Sequence, residues 1–145
     1  MSSIYDRALK AALKAKQPTK KVYEMLVSAA SGGDARAAYA LATWHLHGTK
    51  FIKKDLRRGT NMLEQAASGN VPDACYDLAV SYEKGIIVKQ SKRKAFEFYT
   101  RAALFGEHQS VYEVGRMYYH GIGTRKNLRL AEVWLSRAET LGISD

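Results

Sequence analysis

The stretch SVYEVGRMYYHGIGTRKNLRLAEVWLSRAETLG, residues 110–142, contains two helical patterns joined by a short glycine-containing loop. The first pattern occurs three times, at intervals of 37 and 36 residues, in the segments YALATWHLHG (39–48), YDLAVSYEKG (76–85) and YEVGRMYYHG (112–121). The second pattern alternates with it, in VYEMLVSAASG (22–32), GTNMLEQAASG (59–69), AFEFYTRAALFG (95–106) and AEVWLSRAETLG (131–142). Two alternating helices per unit of about 36 residues predict an all-α solenoid of helical hairpins.

Helix A, the first pattern, carries a stripe of apolar or small residues at positions i, i+4, i+5 and i+8, which lie on one helix face. The stripe is predicted to bury Ala37, Leu41, Ala42 and His45, then Ala74, Leu78, Ala79 and Tyr82, then Ser110, Val114, Gly115 and Tyr118. The helices are expected to end at Gly48, Gly85 and Gly121, because only glycine takes a left-handed conformation cheaply.

Helix B, the second pattern, is expected to begin after the good N-cap residues Thr19, Asp55, Ser91 and Asn127. Its predicted stripe consists of Met25, Met62, Phe98 and Trp134, flanked by Leu26, Leu63, Tyr99 and Leu135, with Ala29, Ala66, Ala102 and Ala138 one turn later. A further amphipathic helix over about 3–16 is predicted to cap the N-terminal end through Ile4, Ala8, Leu9, Ala12 and Leu13. These patterns predict eight helices in a single domain, 1–145, with the repeats occupying about 19–142.

Composition and charge describe an ordinary folded chain of 145 residues with 46% apolar residues and a formal net charge of +9. The first 60 residues hold 12 basic and 4 acidic side chains, so the charge is concentrated there. The single cysteine, Cys75, excludes an internal disulfide and a Cys-rich metal module. No apolar run is long enough for a membrane span, and the N-terminal residues lack a secretory signal pattern. The sequence therefore predicts a cytoplasmic protein.

The residues resemble the Sel1-like repeat family. Residues 74–85, ACYDLAVSYEKG, resemble the first helix of such a repeat, and the third copy adds the pair Gly121 and Gly123, a cap at Asn127 and the spacing of Ala131 and Trp134. The resemblance covers about 19–142 and implies a right-handed superhelical α/α solenoid of about three repeats plus capping helices. It also implies an adaptor, a regulator or a neutralising partner of a bacterial effector.

Three features depart from the family pattern. His45 replaces a tyrosine, Gly59 replaces an alanine, and the loop GTKFIKKD has one extra residue.

A second face of helix A is the predicted partner-binding groove, because the resemblance to tetratricopeptide-like solenoids places this face on the concave side. Its members are Arg36, Tyr39, Thr43 and His47 in the first copy, Asp73, Tyr76, Val80 and Lys84 in the second, and Gln109, Tyr112, Arg116, Tyr119 and His120 in the third. The repeated tyrosines Tyr39, Tyr76 and Tyr112 are equally compatible with packing between adjacent helices. The varied companions are therefore the better candidates for specificity.

A ladder of basic residues recurs in the loops and in the first turn of helix B. It consists of Lys53, Arg57, Lys89, Arg93, Arg125 and Arg129, with Lys16 and Lys20 at the equivalent positions of the weaker first copy. Cations near a helix N-terminus oppose the helix dipole, so the ladder indicates either a binding role or a simply solvated edge. Nucleic acid ranks below an acidic protein surface, because Phe51 is the only aromatic residue near these loop charges.

Catalysis, metals and cofactors find little support in the sequence. His45, His47, His108 and His120 do not form a metal-binding or catalytic motif, and we expect His45 to be a core residue with its hydrogen bonds satisfied. Cys75 is expected to be a small core residue. Cysteine-rich secreted members of the family are described as penicillin-binding, but their paired cysteines are absent here, so that property is not carried over. A β-lactam-type hydrolase stays a weak alternative.

The predicted function is thus a non-enzymatic protein-interaction module without cofactors, either an adaptor or regulator or an immunity-type inhibitor of a bacterial effector. The alternative is a basic solenoid that binds nucleic acid or anionic lipid.

Overall fold

The computed structural model describes residues 3–15, 19–50 and 52–144, with the side chains of 11–15 excepted. These residues form eight helices: α1 (Ile4–Ala15), α2 (Lys20–Ser31), α3 (Ala35–His47), α4 (Leu56–Ser68), α5 (Pro72–Lys84), α6 (Lys92–Leu104), α7 (His108–His120) and α8 (Leu128–Thr140). No strand occurs in the described ranges, so the prediction of an all-α fold built from helical hairpins is confirmed. Lys16, Phe51 and the side chains of Ala12 and Leu13, which the sequence analysis used, lie outside this description.

The chain divides into two compact units, Met1–Val71 and Pro72–Asp145. In the first unit α1 packs on α2, α2 on α3 and α3 on α4. In the second unit the same succession joins α5 to α6, α6 to α7 and α7 to α8. Within each unit, each helix thus packs against its neighbours in the sequence, as expected for a repeat of hairpins.

The predicted helix boundaries are confirmed by their caps. The side chains of Thr19, Asp55, Ser91 and Asn127 each accept a hydrogen bond from a backbone N–H in the first turn of α2, α4, α6 and α8. Gly48, Gly85 and Gly121 have φ angles of 79°, 70° and 70° at the ends of the A helices. A short polar side chain before each B helix and a glycine after each A helix therefore set the hairpin lengths.

The helix A stripe forms the centre of each unit. Leu41 and Leu78 are 1% exposed and Val114 is fully buried. Small residues surround them, since Ala37, Ala42, Ala74, Ala79 and Ser110 are fully buried. The predicted burial of these helix A positions is thus confirmed.

The helix B stripe differs from the prediction. The large side chains of Leu26, Leu63 and Tyr99 are buried, each about 3% exposed, whereas the predicted stripe residues Met25, Met62, Phe98 and Trp134 are only half-buried. Successive residues of a helix point about 100° apart, so the face turned to the core is centred one residue later than predicted. The alanines one turn later, Ala29, Ala66, Ala102 and Ala138, are buried as predicted.

Helix α1 buries less than expected. Ala8 is fully buried, but Leu9 is 46% exposed. Leu9 lies at the rim of an open apolar cleft of about 170 Å³, where Tyr5 and Ala8 of α1 face Trp44 of α3. Over residues 4–10, the part of α1 whose side chains are described, the core-facing stripe is therefore narrower than the sequence pattern indicated.

The A–B loops close in different ways. The Cβ that a side chain at Gly123 would add lies 2.1 Å from the backbone oxygen of Lys92, so glycine is required where the third loop touches α6. The second loop carries Ile87 at the equivalent position, and Ile87 also has a positive φ of 70°. In the longer first loop, Thr49 N–H donates to the oxygen of Ile52 at 2.8 Å, and Ile52 is 7% exposed. The first loop thus accommodates its extra residue by a local turn in which Ile52 is buried.

None of the described helices is both long and apolar enough to cross a bilayer.

Candidate functional site

One face of α7 carries several residues of the predicted groove. Tyr112, Arg116, Tyr119 and His120 line one open cavity of about 180 Å³, together with Leu135 of α8. Tyr119 is 51% exposed, and its ring lies edge-on to His120 at 4.9 Å. We call this surface the α7 cavity. It brings together four of the thirteen predicted groove residues.

An ion-pair network holds Arg116 in place. Its Nη2 donates to both carboxylate oxygens of Glu83 on α5, at 2.8 and 2.9 Å, and its Nε donates to Glu113 at 2.7 Å. The Tyr99 hydroxyl on α6 donates to the same Glu83 at 3.0 Å. Burial disfavours the guanidinium charge, but the hydrogen bonds to Glu83 and Glu113 outweigh this effect and raise the pKa of Arg116. Arg116 therefore stays charged and links α5 to α7.

This network corrects one expectation from the sequence. The sequence places Arg116 on the partner-binding face of helix A, off the core stripe, and assigns it no structural role. Its side chain is only 25% exposed, and both of its carboxylate partners are 16% exposed. The i, i+3 spacing of Glu113 and Arg116 could have indicated half of the network. The contact with Glu83 comes from a residue 33 positions earlier and depends on how α5 packs beside α7.

Two further groove residues face the core instead. Tyr76 packs edge-on against Tyr99, with ring centroids 5.8 Å apart, and burial raises the pKa of its hydroxyl. Val80 packs against the cluster of Ala79, Tyr99 and Val114. The packing role of the repeated tyrosine is thus observed for Tyr76.

The other groove residues of the second unit do not line the α7 cavity. Asp73 and Lys84 are exposed near the two ends of α5. The Gln109 side chain is half-buried, and its Nε2 donates to Glu113 at 3.5 Å. Gln109 therefore adds to the polar surroundings of the Arg116 network.

The groove residues of the first unit lie along α3. Arg36 is exposed, pairs with Asp34 at 3.4 Å and lies over the Tyr5 ring at 4.4 Å, so it joins α3 to α1. Thr43 donates its hydroxyl to the backbone oxygen of Tyr39 at 3.2 Å. Tyr39 is half-buried and His47 is exposed.

All six residues of the basic ladder are exposed. In the second unit the contact of Gly123 with Lys92 brings the α7–α8 loop against the start of α6. Within the ladder, Arg93 forms an ion pair with the exposed Glu97, at 3.5 Å.

His45 contradicts part of its prediction. It is buried as expected, at 4% exposure, but neither ring nitrogen has a hydrogen-bond partner. Burial lowers the pKa of the imidazole below its usual 6.5, and the nearby Arg58 adds to this effect. The ring is therefore neutral near neutral pH. Sequence periodicity located the residue on the core face but carries no information on its hydrogen bonds.

Cys75 and the potential metal ligands do not form a further site in the described residues. Cys75 is fully buried in α5, and burial raises the pKa of its thiol. The described residues contain no group of three or more His, Cys, Asp or Glu side chains arranged to hold a metal ion.

Comparison with known proteins identifies the repeats. The Sel1 repeat family model matches residues 35–71, 72–104 and 108–143. The chain belongs to the Sel1 repeat family. These ranges coincide with the hairpins α3–α4, α5–α6 and α7–α8, so the predicted resemblance is confirmed. The chain is thus a Sel1-repeat protein-interaction module.

Two fungal relatives are named as regulators. The chain is 32% identical over 117 residues to chitin synthase regulator SKT5 of Malassezia restricta, covering 79% of this chain and 8% of that protein. It is 28% identical over 118 residues to chitin synthase regulatory factor 1 of Schizosaccharomyces pombe, covering 80% and 26%. The chain thus spans about a quarter or less of the length of these relatives.

Two bacterial structures share the fold. A Sel1 repeat protein from Oxalobacter formigenes is 32% identical and superposes with a TM-score of 0.77, over 82% of this chain and 89% of that one. Immunity protein Pa5087 from Pseudomonas aeruginosa superposes with a TM-score of 0.61 over 98% of this chain and 55% of that one. Its identity is 20%, so this second likeness concerns the fold alone.

Proposed function

We propose that this chain is a non-catalytic adaptor that regulates a partner protein by binding it at the α7 cavity. The observation that carries the proposal is the arrangement of Tyr112, Arg116 and Tyr119 around one open cavity. Tyrosine and arginine are enriched among the residues that dominate binding energy at protein interfaces. The names of the two fungal relatives support the regulatory part of the proposal.

The Arg116 network makes this cavity suitable for binding. Because Glu83 and Glu113 already hold the guanidinium, its side chain loses little conformational freedom when a partner binds. Tyr119 beside it offers a large, half-exposed ring with few rotatable bonds. The cavity thus combines a rigid polar residue with an aromatic anchor.

Charge favours a partner with an acidic surface. The chain has a formal net charge of +9, and the whole basic ladder is exposed. Charges at the rim of an interface mainly accelerate association and discriminate among partners. We therefore assign steering to the ladder and affinity to the α7 cavity. The inhibitor of a bacterial effector, which the sequence resemblance also implied, has only the fold likeness to an immunity protein in its favour.

The test is affinity capture with matched variants of the intact chain. Tyr119→Ala removes the exposed anchor, and Val133→Ala removes an exposed apolar side chain of α8 that does not line the cavity. We expect the wild-type chain and Val133→Ala to capture the same protein, and Tyr119→Ala to bind the purified partner about tenfold or more weakly. Equal affinity of both variants would remove the α7 cavity as the binding site.

A further inference from the structure

The buried His45 ring has two unpaired nitrogens that the fold does not explain. The side chain is 4% exposed on α3, and neither Nδ1 nor Nε2 has a hydrogen-bond partner. Buried polar side-chain atoms nearly always have partners, and an unsatisfied one costs about 1–3 kcal/mol. Such a group points to a ligand when it faces an open cavity.

His45 lines a cavity of about 520 Å³ within the first unit, which we call the His45 pocket. The other lining residues are Lys20, Tyr23, Ile52, Lys53, Asp55 and Arg58. Three of these side chains are cationic and one is anionic. The anionic Asp55 already accepts a hydrogen bond from the Arg58 backbone N–H at 3.0 Å as the N-cap of α4. The pocket therefore has an excess of positive charge, and an unused polar ring contributes to its lining.

The equivalent place in the next hairpin is closed. Tyr82 stands at the position of His45, and its ring stacks on Phe98 at 5.7 Å with an interplanar angle of 5°. Lys94, the equivalent of Arg58, lies over the Tyr82 ring with its Nζ 5.3 Å from the centroid. In the second hairpin the two aromatic rings therefore contact each other, and one of them also contacts the cation. In the first unit Met62 replaces Phe98, so His45 has no ring stacked on it from α4. Its ring contacts Tyr23 of α2 edge-on, with the centroids 6.1 Å apart, and this contact leaves both ring nitrogens without a hydrogen-bond partner.

We propose that the His45 pocket binds a single oxyanion, a carboxylate or a phosphate group, which accepts hydrogen bonds from the His45 ring and from the Lys53 and Arg58 side chains. Charge-assisted hydrogen bonds from Arg or Lys to such groups are among the strongest in proteins. A cation would be repelled by the three basic residues, and an apolar ligand would leave the imidazole unsatisfied. The proposal concerns the first unit only and does not depend on partner binding at the α7 cavity.

Protonation of His45 is coupled to this binding. The charged or titratable groups around the ring are Lys20 and Tyr23 of α2, Lys53 of the loop, and Asp55 and Arg58 at the start of α4. In the absence of an anion, burial and Arg58 keep the ring neutral. A bound anion favours the imidazolium, so it raises the pKa of His45. Affinity for the anion is therefore expected to increase below neutral pH.

The test follows the His45 ring signals by NMR while the intact chain is titrated with sodium phosphate, sodium acetate or sodium chloride at matched ionic strength. We expect a saturable shift with phosphate, with acetate or with both, and none with chloride. The anion that saturates at the lower concentration identifies whether phosphate or carboxylate is the better ligand. Absence of a saturable shift with both oxyanions would overturn the proposal.

Matched variants assign the binding to this pocket. Arg58→Gln leaves the His45 signal in place and is expected to weaken the oxyanion about tenfold, as the loss of one charge-assisted hydrogen bond predicts. Lys94→Gln removes the same charge at the equivalent position of α6 and should leave the affinity unchanged. His45→Tyr introduces the residue of the other two copies and should keep the helical circular dichroism signal. In wild type the bound anion should raise the free energy of unfolding, measured by urea denaturation, and in His45→Tyr this increase should be absent. Equal affinity in wild type and Arg58→Gln would refute the site.

Discussion

Ile87 is the clearest case of local strain in the described residues. It has a positive φ of 70°, although a β-branched side chain disfavours the left-handed region. The third repeat has Gly123 at this position, where the same conformation is unstrained. The second repeat therefore keeps the loop geometry of the third at an energetic cost.

Replacing Ile87 with glycine should stabilise the protein. Relief of the left-handed strain is worth about 1–2 kcal/mol, and the greater freedom of glycine in the unfolded chain offsets part of it. We expect a net gain of about 0.5–1 kcal/mol in the free energy of unfolding, measured by urea denaturation. Ile86→Gly is the matched control, because Ile86 is equally exposed and has no positive φ. It should not stabilise the chain, and a similar gain in both variants would contradict the strain argument.

His45 makes the stability of the first unit depend on pH. Its pKa is lower in the folded than in the unfolded chain, so the unfolded chain binds more protons between the two values. The free energy of unfolding should therefore fall as pH decreases through 6.5 towards the folded pKa. Urea melts at several pH values, in buffers without phosphate or carboxylate, measure this effect.

His45→Tyr serves as the control for the pH effect, since the other three histidines remain. Only the wild type carries a histidine at position 45 that takes up a proton on unfolding. If the tyrosine variant is the less stable protein, the difference in unfolding free energy should therefore narrow towards low pH. If it is the more stable protein, the difference should widen. A wild type whose stability does not fall more steeply with acid than that of His45→Tyr would contradict the argument.

The elements of the second unit are joined by the contact between Arg116 and Glu83. Arg116→Gln would leave two half-buried carboxylates without their shared cation, at a cost of about 1–3 kcal/mol. In a double-mutant cycle with Glu83→Gln, the two changes should couple by about 0.5–3 kcal/mol. Arg93→Gln is the control, because the exposed pair of Arg93 with Glu97 should contribute less than about 0.5 kcal/mol. Additive losses in the cycle would show that the contact does not stabilise the packing of α5 on α7.

Trp134 anchors α8 to the core of the same unit. Its half-buried ring packs against the cluster that includes Val114 and Met117. Full burial would predict a loss of 3–5 kcal/mol for Trp134→Ala, and the partial exposure reduces this to about 2–3 kcal/mol. Val133→Ala, at a neighbouring side chain that is 61% exposed, should cost less than about 0.5 kcal/mol. A urea melt in which both variants lose equally little would mean that the ring is not part of the core.

Element boundaries and the core of helix A were predictable because they depend on local signals. A cap such as Asn127 and a glycine such as Gly121 act within a few residues of their own position. The depth of each helix B residue was less predictable, as the shift from Phe98 to Tyr99 shows. It depends on how far the neighbouring helix is rotated, which two adjacent apolar residues do not specify.

The candidate sites were only partly predictable for a related reason. Repetition alone placed Tyr112 and Tyr119 on one helix, and the structure adds that they share a cavity. The ion pair of Arg116 with Glu83 and the unpaired nitrogens of His45 depend on contacts between separate helices. Such contacts leave no periodic signal in the sequence.

At the scale of the whole molecule, the excess of basic residues could attract either an acidic protein or nucleic acid. The salt dependence of binding distinguishes these two partners. We expect weak duplex DNA binding at low salt that disappears near physiological ionic strength, with a log–log slope of about −0.9 for each phosphate neutralised. A triple reversal to Glu at Arg57, Arg93 and Arg129 should abolish this weak binding. Fluorescence anisotropy over a series of salt concentrations measures both effects.

A second triple reversal provides the charge-matched control. Lys10, Lys21 and Arg137 are exposed and lie outside the basic ladder, so their change to Glu should reduce duplex binding less than the ladder variant does. Tight binding at physiological salt that only the ladder variant loses would favour the nucleic-acid function instead.

The contact between Gly123 and the Lys92 carbonyl limits how such a chain can lengthen by gene duplication. A copied hairpin inserted after α6 has to place its own loop against that carbonyl, where no Cβ fits. A copy of α7–α8 brings the required glycine with it, whereas a copy of α5–α6 brings Ile87. In-frame duplication of the third hairpin is therefore compatible with this backbone without further change. Duplication of the second hairpin would also need a mutation to glycine at the copied position of Ile87.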